Sequence, residues 1–208
     1  GLSYNPGSVK AKHLLDVFVS DLEPEAIKSK VVKPLYGLRV APYYGCLITR
    51  PSFNGNDDYD FPTTLDNLMK LIGADVSDFT LKTHCCGGHM TQISEPTALE
   101  LIRRLLKNAD DFGADAIVTL CPMCQLNLDA YQASVNKYFG TKFKIPIVYF
   151  TQLMGIALGL DPKELGIGKE FVSAKSIMSK ITHKPLPSSK KKRPSKEALP
   201  MPSMEKEV

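Results

Sequence analysis

A chain of 208 residues with 43% hydrophobic content is long enough to fill one core without covalent staples. Its net charge of +4 sits at one end: His183 to Val208 carry seven Lys/Arg against three Asp/Glu, and the other residues balance at 19 of each, which argues against a basic nucleic-acid-binding surface. No run approaches the roughly 20 apolar residues of a membrane-crossing helix, and the opening GLSYNPGSVK lacks the apolar stretch of a signal peptide, so no transmembrane segment is expected.

In chain order, Leu14, Leu15, Val17, Phe18 and Leu22 form a helical stripe within Val9 to Leu22, and Pro24 opens a second short helix. After Gly37, the run Leu38 to Tyr44 reads as a buried strand that ends at Gly45-Cys46. A loop rich in Asn, Asp and Pro follows, and then a helix introduced by Pro62 and Thr63 and stopped by Gly73. Val76 to Leu81 is weakly strand-like and delivers His84-Cys85-Cys86-Gly87-Gly88-His89. Glu95 to Phe112 is a strong amphipathic helix closed by Gly113. Ala116 to Leu120, the clearest strand, runs into Cys121-Pro122-Met123-Cys124 and a helix through Val135. A last strand, Ile145 to Tyr149, precedes a helix from Gln152 to Leu160.

Strands separated by helices of this length indicate βαβ units, hence an α/β fold with a parallel sheet and helices on both faces. The expected organisation is an N-terminal helical segment at 1–36, one α/β domain at 37–181, and a Pro-, Ser- and Lys-rich tail at 182–208 too polar to bury, read as disordered.

Five cysteines, Cys46, Cys85, Cys86, Cys121 and Cys124, follow the pattern Cys-x38-Cys-Cys-x34-Cys-x2-Cys. An odd number with an adjacent pair makes a poor disulfide framework, which points to a reducing, cytoplasmic compartment. Three of their positions come just after predicted strands, and the carboxyl ends of parallel strands open into one crevice. Gly45, Gly87 and Gly88 allow tight turns and close approach beside them. Cys124 starts a helix, where unpaired N–H groups favour thiolate sulfur. Five sulfurs exceed the four of a tetrahedral zinc site, which favours an iron–sulfur cluster. Two rivals stay open: a structural zinc-binding module that docks partners, and a thioredoxin-like Cys-Pro-x-Cys dithiol, for which Ile145-Pro146 would supply the downstream proline. Any one cysteine taken alone also reads as a small buried hydrophobe.

The same residues resemble the cysteine-rich CCG domain, and specifically the C-terminal half of the B subunit of heterodisulfide reductase or a heterodisulfide-reductase-like homologue. The similarity runs from about Leu14 to Gly166 through Pro34-Leu-Tyr-Gly-Leu-Arg-Val, Tyr44-Gly-Cys, Arg50-Pro, Cys85-Cys-Gly-Gly, Gly113-Ala-Asp-Ala-Ile-Val, Cys121-Pro-Met-Cys-Gln and Tyr149-Phe-Thr-Gln-Leu-Met-Gly. The resemblance implies that residues 37–181 are a CCG iron–sulfur domain in which the five cysteines bind a noncubane [4Fe–4S] cluster, with zinc able to substitute after aerobic purification. It implies an oxidoreductase subunit acting on a disulfide/thiol couple, small-molecule or protein-bound, with electrons supplied by another iron–sulfur or flavin subunit. The family usually carries two CCG repeats and this sequence shows one, so the chain is expected to be part of a longer protein or to work with a separate chain. Similar cysteine patterns occur in subunits tied to succinate, lactate and glycerol-phosphate oxidation and to sulfur oxidation.

Further candidates have a functional and a bland reading side by side. His84 and His89 bracket the Cys-Cys-Gly-Gly turn, where they could donate a proton to a leaving thiolate or simply make supporting hydrogen bonds. Arg50 could hold an acidic substrate group or form a surface salt bridge. Gln125 and Gln152 could touch cluster sulfurs or only end helices. Lys190-Lys191-Lys192-Arg193 lacks aromatic interleaving and reads as solvated, so nucleic acid is not expected as a partner.

Overall fold

The computed structural model describes residues 3, 5, 7–9, 11–50 and 57–182. The basic run at 190–193 and the tail assigned to disorder, apart from Thr182, lie outside them.

Four parallel strands form the sheet: β1 (Arg39–Tyr43), β2 (Asp75–Val76), β3 (Ala116–Thr119) and β4 (Ile147–Tyr149), in the order β2-β1-β3-β4. Val40 pairs with Val76 on one side and with Ala116 on the other, and Thr119 pairs with both Tyr43 and Tyr149. Side chains alternate across the sheet and build two cores. Val40, Ala116, Val118 and Val148 face one core with α3 (Thr64–Leu71), α7 (Phe150–Ala157) and α8 (Lys175–Lys180). Leu15 and Ile27, the latter from the short α2 (Pro24–Lys30), join that core. Ala41, Tyr43, Ile117 and Ile147 face the other, with α4 (Glu95–Asp111), α5 (Pro122–Ala130) and α6 (Gln132–Phe139). The α/β fold with helices on both faces is as expected.

Pro42 in an inner strand is unusual, since proline cannot donate to a ladder. The length of β2 explains it. The Leu38 and Val40 carbonyls accept from Asp75 and Ser77, both at 2.9 Å, but β2 ends at Val76, so Pro42 lies on the same edge beyond its reach.

The elements differ from the sequence expectation in four places. The strand expected over 76–81 is only Asp75–Val76, because Phe79 and Leu81 leave the sheet to fill the second core. The helix expected over 9–22 shrinks to α1 (Leu14–Asp16) followed by a π-helical turn (Val17–Asp21): Leu15 and Phe18 pack inward while Leu14, Val19 and Leu22 stay exposed. The helix after Cys121 breaks at Tyr131 into α5 and α6. There the buried Gln132 amide exchanges hydrogen bonds of 2.7 and 3.1 Å with the Ile145 backbone, tying the turn to the approach of β4. The fourth, α8, has few apolar residues for periodicity to detect, yet Ala174 and Ile177 are fully buried against the first core.

Candidate metal centre

All five cysteines are free and all line one cavity of about 820 Å³ at the carboxyl end of the sheet. Three chain segments bring them there. The end of β1 presents Cys46, the loop after β2 presents Cys85 and Cys86, and the turn from β3 into α5 presents Cys121 and Cys124.

The middle loop is nine residues from its strand and needs its own anchors. The backbone N–H groups of Tyr44 and Gly45 both donate to the Lys82 carbonyl, at 2.9 and 3.0 Å, so the tip of β1 grips the loop directly. Lys82 Nζ reaches Asp66 at 2.6 Å and the Pro62 carbonyl at 3.0 Å, while Tyr44 Oη donates to Asp66 at 2.7 Å and accepts from Leu65 N–H at 2.8 Å. Tyr43 Oη donates to the His84 carbonyl at 2.6 Å. Asn127, buried in α5, donates to the Cys86 carbonyl at 2.8 Å and ties the second segment to the third.

Two glycines permit the approach. Gly45, at φ +71°, would place a Cβ 3.1 Å from Cys124 Sγ, so a side chain there would push into the sulfur cluster. Gly88 would place one 3.0 Å from Met123 and 3.6 Å from Cys86 Sγ.

Cys86 and Cys124 are both buried, with sulfurs 3.5 Å apart. Hydrogen bonding from Cys124 pulls the Cys86 thiol down to about 6 against the opposing effect of burial, helped by the Gly88 N–H, Asn127 and Tyr43. Cys124 is pushed the other way by that shared bond, by burial and by the charges of Cys86 and Cys121. Burial and the neighbouring Cys85 raise Cys46. Thiols that oppose one another's ionisation keep their protons until a metal cation takes up the charge, so metal binding there releases protons.

Among the described residues, no three of His, Cys, Asp and Glu converge to hold a single metal ion. The cavity offers a donor set of five thiols, two of them in contact at 3.5 Å, with glycines beside it. That arrangement fits a multinuclear iron–sulfur group better than one tetrahedral ion.

The other sequence candidates separate. His89 lines the cavity, whereas His84 is not part of its lining; burial, then the charges of Arg50 and Arg104, lower the His84 imidazole. Arg50 is exposed and meets Asp60 at 3.3 Å, the surface salt bridge. Gln152 accepts from Tyr149 N–H at 2.7 Å and donates to the Leu165 carbonyl at 3.0 Å, and Gln125 reaches Gln152 at 3.4 Å, so these amides serve the start of α7. Sequence reasoning missed the wall formed by Lys12, His13, Asp16 and Ser20, as well as Asn127. Nothing in a polar N-terminal stretch signals proximity to cysteines so much further along the chain.

Residues 40–129 match the cysteine-rich domain family CCG, a span that holds every cysteine of the cavity. The chain carries a CCG domain. It is 35% identical over 184 residues to the B subunit of the ferredoxin/F420H2-dependent CoB-CoM heterodisulfide reductase of Methanosarcina acetivorans, covering 87% of this chain and 61% of that one. It is 35% identical over 177 residues to the 8-methylmenaquinol:fumarate reductase membrane anchor subunit of Wolinella succinogenes, covering 85% and 61%. The B subunit of the ferredoxin:CoB-CoM heterodisulfide reductase of Methanosarcina mazei is also 35% identical, over 84% of this chain and 59% of its own. The chain thus spans about three fifths of the length of these relatives. A crystal structure of a hypothetical protein from Helicobacter pylori shares the fold, with a TM-score of 0.56 at 12% identity over 74% of this chain and 28% of that one. No helix among the described residues is long and apolar enough to cross a membrane.

Proposed function

We propose that this CCG domain chain is an iron–sulfur electron-transfer subunit of a heterodisulfide-reductase-like complex, acting on a disulfide/thiol couple. One observation carries the reading: five free thiols from three separate segments converge on a single cavity inside a CCG domain. Cys46, Cys85, Cys86, Cys121 and Cys124 would hold a [4Fe–4S] group of the noncubane type. Such a group, when bound, supplies electrons one at a time to a reaction that needs two.

The chain's own residues prepare the site for that chemistry. Gly45 and Gly88 leave room at the sulfurs, and the contacts of Lys82, Tyr43 and Asn127 hold the three loops at fixed separation. Leu47, Ile48, Leu120 and Met123 keep the cavity wall apolar, which limits water around a half-reduced sulfur. Free cysteines suit a reducing cytoplasmic setting. Another iron–sulfur or flavin subunit is proposed as the electron donor.

The 3.5 Å contact of Cys86 and Cys124 favours one second reading, a dithiol. It joins two loops, not the Cys121/Cys124 pair of a thioredoxin-like motif, and it leaves three thiols unused. Anaerobic reconstitution with iron and sulfide separates the readings. An electron paramagnetic resonance signal is expected from the reconstituted chain after one-electron oxidation or reduction; a silent chain with unaltered visible absorption would overturn the iron–sulfur reading and leave the dithiol or a zinc site.

A further inference from the structure

One wall of the cysteine cavity is unexplained by sulfur chemistry. Lys12, His13, Asp16 and Ser20 line it, all from the segment around α1 and the π-helical turn. The segment is fixed from beneath, for Leu15 is buried in the first core and Phe18 packs edge-on against Phe150 at a ring distance of 6.1 Å. Lys12 Nζ closes it across the turn on Asp21 at 2.5 Å. A π turn inserts an extra residue into a helix, which re-aims side chains and recurs at functional sites.

His13 is the group this arrangement singles out. Its Nδ1 accepts the Leu15 backbone N–H at 3.1 Å, capping α1. A neutral imidazole whose Nδ1 is an acceptor carries its proton on Nε2. The cap therefore fixes the tautomer and leaves a donor on a residue that lines the cavity. The rest of the wall limits what that donor can meet: Lys12 is neutralised by Asp21, and Asp16 adds a negative charge, so the wall does not recruit an anion. Elsewhere in the cavity lining, Leu47, Ile48 and Met123 offer apolar surface.

On the reading that the cavity receives a thiol or disulfide, we infer that His13 is its substrate-positioning residue, donating Nε2–H to an uncharged acceptor on the substrate. The favoured class is an apolar thiol or disulfide that carries an amide, or a group of like polarity, a few bonds from sulfur. The hydrogen bond fixes which end of the substrate lies over the cysteines, and the apolar side takes the alkyl portion.

The test pairs two probes of similar length, N-acetylcysteamine, which has the amide, and 1-butanethiol, which does not. Their binding to the anaerobic full chain is measured by calorimetry, before and after cluster loading, in the wild type and in His13→Asn. Asparagine keeps an oxygen to cap Leu15 and withdraws the imidazole Nε2–H. The expected result is a loss of about fivefold in N-acetylcysteamine affinity in His13→Asn, the scale of one hydrogen bond, with 1-butanethiol affinity and the thermal midpoint unchanged. A wild type that does not prefer the amide probe, an equal loss for both probes, or the same selective loss in His89→Ala but not in His13→Asn would overturn the inference. Failure of the wild type to take up iron would remove the proposed cluster, a separate outcome read from iron content; the amide preference of the metal-free chain still decides His13.

Discussion

The two ends of the sheet are built from different chemistry. At the amino end, charge closes on charge: Arg39 meets Asp75 at 3.5 Å, Lys180 meets Asp115 at 3.2 Å, and Asp115 also accepts from the Arg39 backbone N–H at 3.0 Å. At the carboxyl end, five sulfurs line a cavity, and the two buried ones find each other at 3.5 Å. One end is tied by ion pairs within the chain, and the other gathers the thiols proposed to bind iron. Polar groups that complete one another hold a fold together, whereas thiols that oppose each other's ionisation give up their protons to a metal that takes the charge.

That contrast is broken most severely at the sulfurs. Cys86→Ser is expected to reduce iron retention by about tenfold or more and to bleach visible absorption, with Cys46→Ser close behind as the sole cysteine of its segment. Iron content and absorption equal to wild type in Cys46→Ser, Cys85→Ser and Cys86→Ser together would remove the five-ligand assignment.

The Lys82–Asp66 pair is the next largest effect, because both side chains are mostly buried and its loss strands an ammonium under the loop that carries Cys85 and Cys86. Asp66→Ala should cost about 3–5 kcal/mol in denaturant unfolding. Lys180→Ala, at the amino end and half exposed, should cost about 0–1 kcal/mol. Equal losses would mean that the cysteine loop is not held as described.

A smaller effect is expected at Asp57, which caps α3 from outside the helix by accepting the Thr63 and Thr64 backbone N–H groups at 2.8 and 2.9 Å. Burial raises its pKa, but the Thr64 hydroxyl and those N–H groups outweigh it and the net shift is downward. A lowered carboxylate pKa adds stability above the ordinary carboxylate value, and that stability disappears as pH falls through the lowered one. Asp57→Ala should cost about 1 kcal/mol at pH 7, and this cost should shrink away as pH falls below the lowered Asp57 value, read from denaturation midpoints across pH.

Much of this was legible in the sequence where one force dominates. Ala116 to Leu120 and Ile145 to Tyr149 read as strands because unbroken apolar runs bounded by turns have few other uses, although the ladder itself keeps only Ile147–Tyr149 of the second. The five cysteines stood out by type and by their place after strands. Val76 to Leu81 misled because alternation is the signature both of a strand and of a loop that drops every second side chain into a core, as Phe79 and Leu81 do. His13 was invisible for a different reason: its position depends on Phe18 meeting Phe150, a contact across 132 residues that no local pattern encodes.

The central claim is that the carboxyl end of the sheet is built for iron and sulfide. Metal and acid-labile sulfide analysis of the chain purified without oxygen tests it most directly. The account predicts iron and sulfide in equal amounts, about four of each per chain. Stoichiometric zinc without sulfide, or metal-free thiols that take up no iron on reconstitution, would contradict it.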